Sequence, residues 1–160
     1  MALATGARAG EILQSRFSQF DLENRVWKIP SQSTKANRSR LVPLNDVALD
    51  VIAAASLETK GKYDHLFINP RTEKPYRYIH KVWERLRTEA GLEKCRFHDL
   101  RHCWGHTLAG QGESLWLISK LMGHAQCKSS ERYSGLSHAT LMNASNNAGK
   151  VLQEAMEKSV

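Results

Sequence analysis

The sequence predicts an α+β domain, mainly helical, with one small three-stranded antiparallel sheet near its start. Three observations lead to this class. Apolar residues recur at helical spacing through most of the chain after Asn45. The alternating, strand-like stretches all fall before it, at Phe17 to Leu22, Val26 to Ile29 and Leu41 to Leu44. A chain of 160 residues that is 41% hydrophobic supplies one ordinary core, and no repeat, low-complexity tract or linker divides it, so a single domain over 1–160 is expected.

The first helix is expected from Arg8 to Gln14, with Ile12 and Leu13 apolar, Glu11 exposed or paired, and Thr5-Gly6 as its start. Glu23-Asn24 turns the first strand into the second, and a loop rich in Ser, Lys and Arg leads to the third. From Asn45 the positions Val47, Leu49, Val51, Ile52 and Ala55 fit a helix capped by Asn45 or Asp46 and ended by the Lys-Gly-Lys at 60–62. Leu66-Phe67 reads as a short buried segment, and Asn69 to Pro75 as a loop. Further helices are predicted from Tyr78 to Ala90, stopped by Gly91, then from His98 to Ala109 and Leu115 to Leu121. A last helix, Thr140 to Met156, carries Leu141, Ala144, Ala148, Val151, Leu152 and Ala155 on one face, a stripe suited to closing its own core.

The formal charge is +7, from 23 Lys and Arg against 16 Asp and Glu, which favours a polyanionic partner. Cys95, Cys103 and Cys127 form no paired short-spacing motif, so reduced thiols in a cytosol are expected. No apolar run approaches the roughly 18 residues of a membrane span, so no membrane partner is expected.

Five separated pieces stand in order: Thr5-Gly6-Ala7-Arg8-Ala9-Gly10-Glu11, Lys35, His98-Asp99-Leu100-Arg101, Gly123-His124, and Tyr133 nine residues beyond that histidine. Together they resemble the signature of the tyrosine recombinases, the phage-integrase family, whose pattern is T-G-x-R-x-x-E, a hairpin lysine, H-x-x-R, G-H and a tyrosine. Each piece alone also fits an ordinary surface role: Arg8 as a first-turn partner of Glu11, His98 as a helix cap, Tyr133 as a half-buried aromatic. The joint order and spacing carry the resemblance.

The resemblance implies the fold of a tyrosine recombinase catalytic domain and an enzyme that cleaves and rejoins DNA at specific sites through a 3′-phosphotyrosyl intermediate. Tyr133 would be the nucleophile, Arg8 and Arg101 the clamp on the scissile phosphate, and His98 the proton acceptor. His124 would donate to a phosphate oxygen and Lys35 protonate the leaving 5′-oxygen, with Lys28 and Lys60 as poorer candidates. Guanidinium groups suit this work because they stay charged and present paired planar donors. Neither metal nor nucleotide cofactor is implied.

The implied partners are double-stranded DNA, further copies of the chain in a tetramer on DNA, with the last helix in the family often docking on a neighbour, and DNA-bending accessory proteins. The location would be the cytoplasm of a bacterium or phage host, at the nucleoid. Arg38, Arg40, Arg77, Lys81 and Arg85 are the candidate DNA contacts. The family domain begins one or two helices before T-G-x-R and follows a core-binding domain, so an N-terminally truncated catalytic domain is expected. A DNA-binding remnant without activity and a type IB topoisomerase-like strand transferase are the alternatives. A zinc site would draw on His98, His102 and His106, which share a helix face, but only two of such a series comfortably reach one metal, and no metal is expected.

Overall fold

A computed structural model describes residues 1–31, 39–59, 61–123 and 138–158. The chain opens with a short helix, α1 (Ala2–Thr5), which the sequence reading did not foresee. Thr5 and Gly6 end this helix instead of starting the next one: Gly6 takes a left-handed φ of 62° and donates its amide to Ala2 O. The next helix, α2 (Ala9–Leu13), is held at its start by the Glu11 carboxylate, which accepts from the Arg8 backbone amide at 2.8 Å.

The three-stranded antiparallel sheet is present, in the order β1 (Phe20–Asp21), β2 (Val26–Ile29), β3 (Arg40–Pro43), with Trp27 opposite both Phe20 and Val42. Its first strand is shorter than expected, because Phe17–Gln19 winds into a 3-10 turn. Asp64 holds it there: its carbonyl accepts from the Phe17 amide, and its carboxylate accepts from the Ser18 amide and hydroxyl. Along β2 the residues Val26, Trp27 and Ile29 are buried and Lys28 is exposed. Its Nζ is tied to Asp21 at 2.9 Å.

Helix α3 (Asp46–Thr59) starts where predicted, with Asn45 Oδ1 accepting from the Ala48 amide. The stretch read as a loop instead contains a small hairpin, β4 (Ile68–Asn69) with β5 (Lys74–Pro75). Asn69 closes its turn by accepting from the Arg71 amide, and Glu73 adopts a positive φ. Four helices follow: α4 (His80–Glu89), α5 (Phe97–Gly110), α6 (Leu115–Met122) and α7 (His138–Glu157). Tyr78, expected to open α4, lies ahead of it and is exposed.

Two apolar clusters meet in the core. One joins α1, α2, the sheet and α3 through Ala4, Ile12, Trp27, Ile29, Leu44 and Ile52. The other joins α5, α6 and α7 through Trp104, Leu108, Leu121, Ala144 and Ala148. Asn45 is the polar joint between them. Buried to 1% exposure, it donates through Nδ2 to Ala4 O at 3.0 Å and Ser145 O at 3.2 Å. The part of the α7 stripe from Leu141 to Leu152 packs within its own chain, where α7 meets α5, α1, α3 and β3, and Ala155 beyond it is exposed.

Candidate active site

The T-G-x-R-x-x-E segment is a structural unit before it is a chemical one. Thr5 Oγ1 donates to Met1 O at 2.8 Å and accepts from the Ala7 amide at 3.2 Å, which turns the chain sharply after α1. Gly6 lies against the indole of the buried Trp104, and a Cβ there would fall 2.2 Å from Trp104 Cδ1. This close approach aims Gly6 O at α5, where the Arg101 guanidinium donates to it. Two residues on, Arg8 emerges at the start of α2 and donates through Nη1 to Glu11 Oε1 at 3.1 Å.

Three arginines converge on the last turn of α6. Ser114 caps the start of this helix by accepting from the Leu117 amide, and Gly123 ends it in a left-handed conformation with φ 66°. Its final carbonyls point outward without helical partners and form the negative end of the helix dipole. Arg40 Nη1 donates to Leu121 O at 2.9 Å, Arg101 Nη2 to Met122 O at 2.5 Å, and Arg8 Nη2 to Gly123 O at 2.8 Å. Successive carbonyls thus receive guanidinium groups from β3, α5 and the start of α2.

Glu11 balances this cationic cluster. Its side chain is 1% exposed and accepts from Arg8 on one oxygen and from Arg40 Nη2, at 2.7 Å, on the other. Burial raises the proton affinity of the carboxyl, but the bond and charge of Arg40, with those of Arg8, outweigh it and hold Glu11 below its ordinary value. Arg101 is only 3% exposed, and burial, helped by the charges of Arg8 and Arg40 against that of Glu11, pushes its guanidinium down to about 10. It remains charged at neutral pH.

His98 stands one turn before Arg101 on the open side of α5, its ring 4.8 Å from that of His102 and edge-on to it. Burial first, then the positive fields of His102 and Arg101, lower its proton affinity; Asp99 opposes them more weakly. Asp99 itself is occupied by Arg96, which it caps and pairs at 2.8 Å. His98 also lines a cavity of about 730 Å³ between α2, α4 and the start of α5, walled by Leu13, Tyr78, Trp83 and Phe97 and rimmed by Arg77, Arg87 and Arg96. Trp83 fixes α4 there, donating to Cys95 O at 3.0 Å and meeting the Phe97 ring edge-on at 5.5 Å.

The structure therefore brings Arg8, Arg101 and the C-terminal turn of α6 together, with His98 on the same helix as Arg101. Lys35, His124 and Tyr133, together with Arg38, lie outside the described residues; His124 directly follows Gly123 in the chain. Arg77, Lys81 and Arg85 are exposed, on or just before α4, and Arg85 makes a long 3.7 Å contact with Glu89. Arg40 departs from the expectation of a DNA contact. Its side chain is 13% exposed, and its guanidinium is bound to Glu11 and Leu121 O, so it belongs to the interior of the cluster. The pairing of Arg8 with Glu11 was foreseen from their spacing; the burial of Glu11 and its second partner, Arg40, were not, since nothing local points to them. His98, His102 and His106 are all exposed along α5, and among the described residues no three His, Cys, Asp or Glu side chains gather as a metal site.

Comparison with known proteins places this arrangement. The model of the phage integrase family matches residues 1–140. The integrase of Salmonella phage P22 is 28% identical over 145 residues, covering 84% of this chain and 37% of that protein. Tyrosine recombinase XerC of Staphylococcus epidermidis is 27% identical over 146 residues, covering 86% and 48%. The chain thus spans less than half the length of these curated relatives. The crystal structure of XerA recombinase superposes with a TM-score of 0.68 at 23% identity, over 89% of this chain and 52% of that one. XerH site-specific recombinase, bound to its difH substrate before cleavage, superposes with a TM-score of 0.61 at 28% identity, over 89% and 43%.

Proposed function

This chain belongs to the phage integrase family, and on that premise we propose that it is the catalytic domain of a tyrosine-type site-specific recombinase with Tyr133 as its nucleophile. The observation that carries the reading is the convergence of Arg8 and Arg101, from distant parts of the sequence, on adjoining carbonyls at the end of α6. Two guanidinium groups fixed side by side next to the G-H motif suit one demand, a phosphate whose equatorial oxygens gain negative charge as its bonds exchange.

In this mechanism the Tyr133 phenolic oxygen attacks the scissile phosphorus as the bond from phosphorus to the 5′-oxygen breaks. His98 accepts the phenolic proton, a role that its lowered proton affinity favours by keeping it neutral at physiological pH. Lys35 protonates the departing 5′-oxygen, and His124 donates to a phosphate oxygen beside Arg8 and Arg101. Rejoining is the reverse: a 5′-hydroxyl attacks the 3′-phosphotyrosine and restores the phenol. Bond energy is held in the phosphotyrosine, and the arginines and histidines supply the charge stabilisation, so the reaction calls for no metal or cofactor. The exposed Arg77, Lys81 and Arg85 would meet DNA phosphates, where each neutralised phosphate adds to the salt dependence of binding. Assembly as a tetramer on two duplexes, with accessory proteins bending the DNA, belongs to the same proposal.

The test is a nicked suicide duplex bearing the ends of the element that encodes the chain, incubated with the wild-type protein and with Tyr133→Phe. A detergent-resistant adduct in wild type alone is expected. Salt-sensitive binding without an adduct would replace the reading with a DNA-binding remnant, and relaxation of supercoiled plasmid regardless of sequence with a topoisomerase.

A further inference from the structure

One guanidinium in the cluster has no part in the chemistry just described. Arg40 lies on β3 and joins two elements that share no other bond to it: Glu11 on α2 and the Leu121 carbonyl at the end of α6. We propose that Arg40 is a positioning residue for strand cleavage, setting the end of α6 against Glu11 and so fixing both the Arg8 guanidinium and the point where the chain leaves at Gly123. The inference rests on the recombinase reading, since it assigns Arg40 to the geometry of that reaction.

Three features of the cluster support it. Glu11 is shared: the oxygen that accepts from Arg40 also accepts from the Arg8 backbone amide, and the other oxygen accepts from Arg8 Nη1, so a shift of Glu11 moves Arg8. Gly123 is packed against Arg40 itself, for a Cβ there would fall 2.7 Å from Arg40 Cδ and 2.8 Å from Nε. The third feature is energetic. A buried ion pair adds little net stability over an apolar pair of the same volume, so what a buried arginine at this position supplies is geometry. Arg40 reaches the carbonyl and the carboxylate through two separate nitrogens held in one plane; lysine keeps the attraction to Glu11 but offers all its donors from a single nitrogen and does not reproduce that spacing.

Arg40→Lys is therefore the variant of choice, because it leaves no unpaired charge beside Glu11. The expected result is unchanged DNA affinity and salt dependence, unchanged melting, and adduct formation at saturating DNA slowed by up to about 100-fold, the size of effect that a displacement of about 1 Å has on reacting groups. Amide exchange of the last turn of α6, Lys120 to Gly123, should quicken while the rest of the helix keeps its protection. Arg40→Gln, which removes the Arg40 charge while Glu11 keeps its pairing with Arg8, should show the same slow cleavage. A wild-type rate in Arg40→Lys would overturn the proposal. So would a salt slope reduced by about one in Arg40→Gln with the saturated rate intact, the mark of a phosphate contact that a charge-keeping lysine would hide. So, too, would exchange quickened throughout the fold together with lost melting temperature, the mark of a merely structural residue. If wild type itself gives no adduct, the recombinase reading fails, while unaltered exchange at Lys120 to Gly123 in Arg40→Lys separately defeats the positioning role.

Discussion

Replacing Gly6 by alanine tests whether the close approach of the T-G-x-R turn to α5 is essential. Two costs add. The residue sits at φ 62°, where a Cβ crowds the following carbonyl, a penalty of about 1–2 kcal/mol. The new methyl would also fall 2.2 Å from Trp104 Cδ1, and Trp104 is a core residue at 1% exposure. Overpacking of a filled core costs about 1–3 kcal/mol. Urea denaturation should therefore show a loss of about 2–5 kcal/mol with an unchanged slope. Adduct formation should fall further than stability alone explains, because the turn that moves carries the carbonyl accepting from Arg101. Shrinking the ring with Trp104→Phe in the same chain should make the glycine replacement less damaging than it is beside the indole. A loss within about 0.5 kcal/mol, the range of an inert surface change, would refute the packing argument.

Asn45→Ala removes a helix cap and the bonds that Nδ2 gives to Ala4 O and Ser145 O, so a loss of about 2 kcal/mol or more is expected in thermal or urea melting. A loss below about 1 kcal/mol would mean that the joint between the two clusters lies elsewhere. For His98 the sign follows from its role: the proton acceptor must be neutral, and its proton affinity lies below the ordinary 6.5. The acid limb of the rate of adduct formation should therefore be centred below pH 6.5, with His102→Gln moving it upward by removing one of the fields that lower it. An acid limb centred above 6.5 in wild type would contradict the assignment.

Much of this architecture was legible in the sequence because its signals are local. The periodicity of Val47 to Ala55 and the Asn45 cap gave α3, and the alternation at Val26 to Ile29 gave the central strand whose Trp27 is wholly buried. The missed features depend on partners far away in the chain. Phe17 to Gln19 alternates like a strand but bends around Asp64, and Gly6 ends a helix because Trp104 occupies the space beside it. The site divides in the same way. Arg8, Glu11, His98 and Arg101 were visible as motif residues, since their types and spacing follow from phosphate chemistry. Arg40 looked like one more charge of a basic loop, and only the packing of β3 against the end of α6 gives it a buried partner at each side.

The account turns on the identity of the nucleophile, so the most direct measurement is to find the covalent bond. Protein trapped on the suicide duplex is digested with nuclease and trypsin, and the peptide released by cleavage after Arg132 and Lys150, residues 133–150, is sequenced by mass spectrometry. The expected finding is a nucleotide remnant joined through phosphate to Tyr133. A remnant on any other residue, or an adduct that persists in Tyr133→Phe, would contradict it.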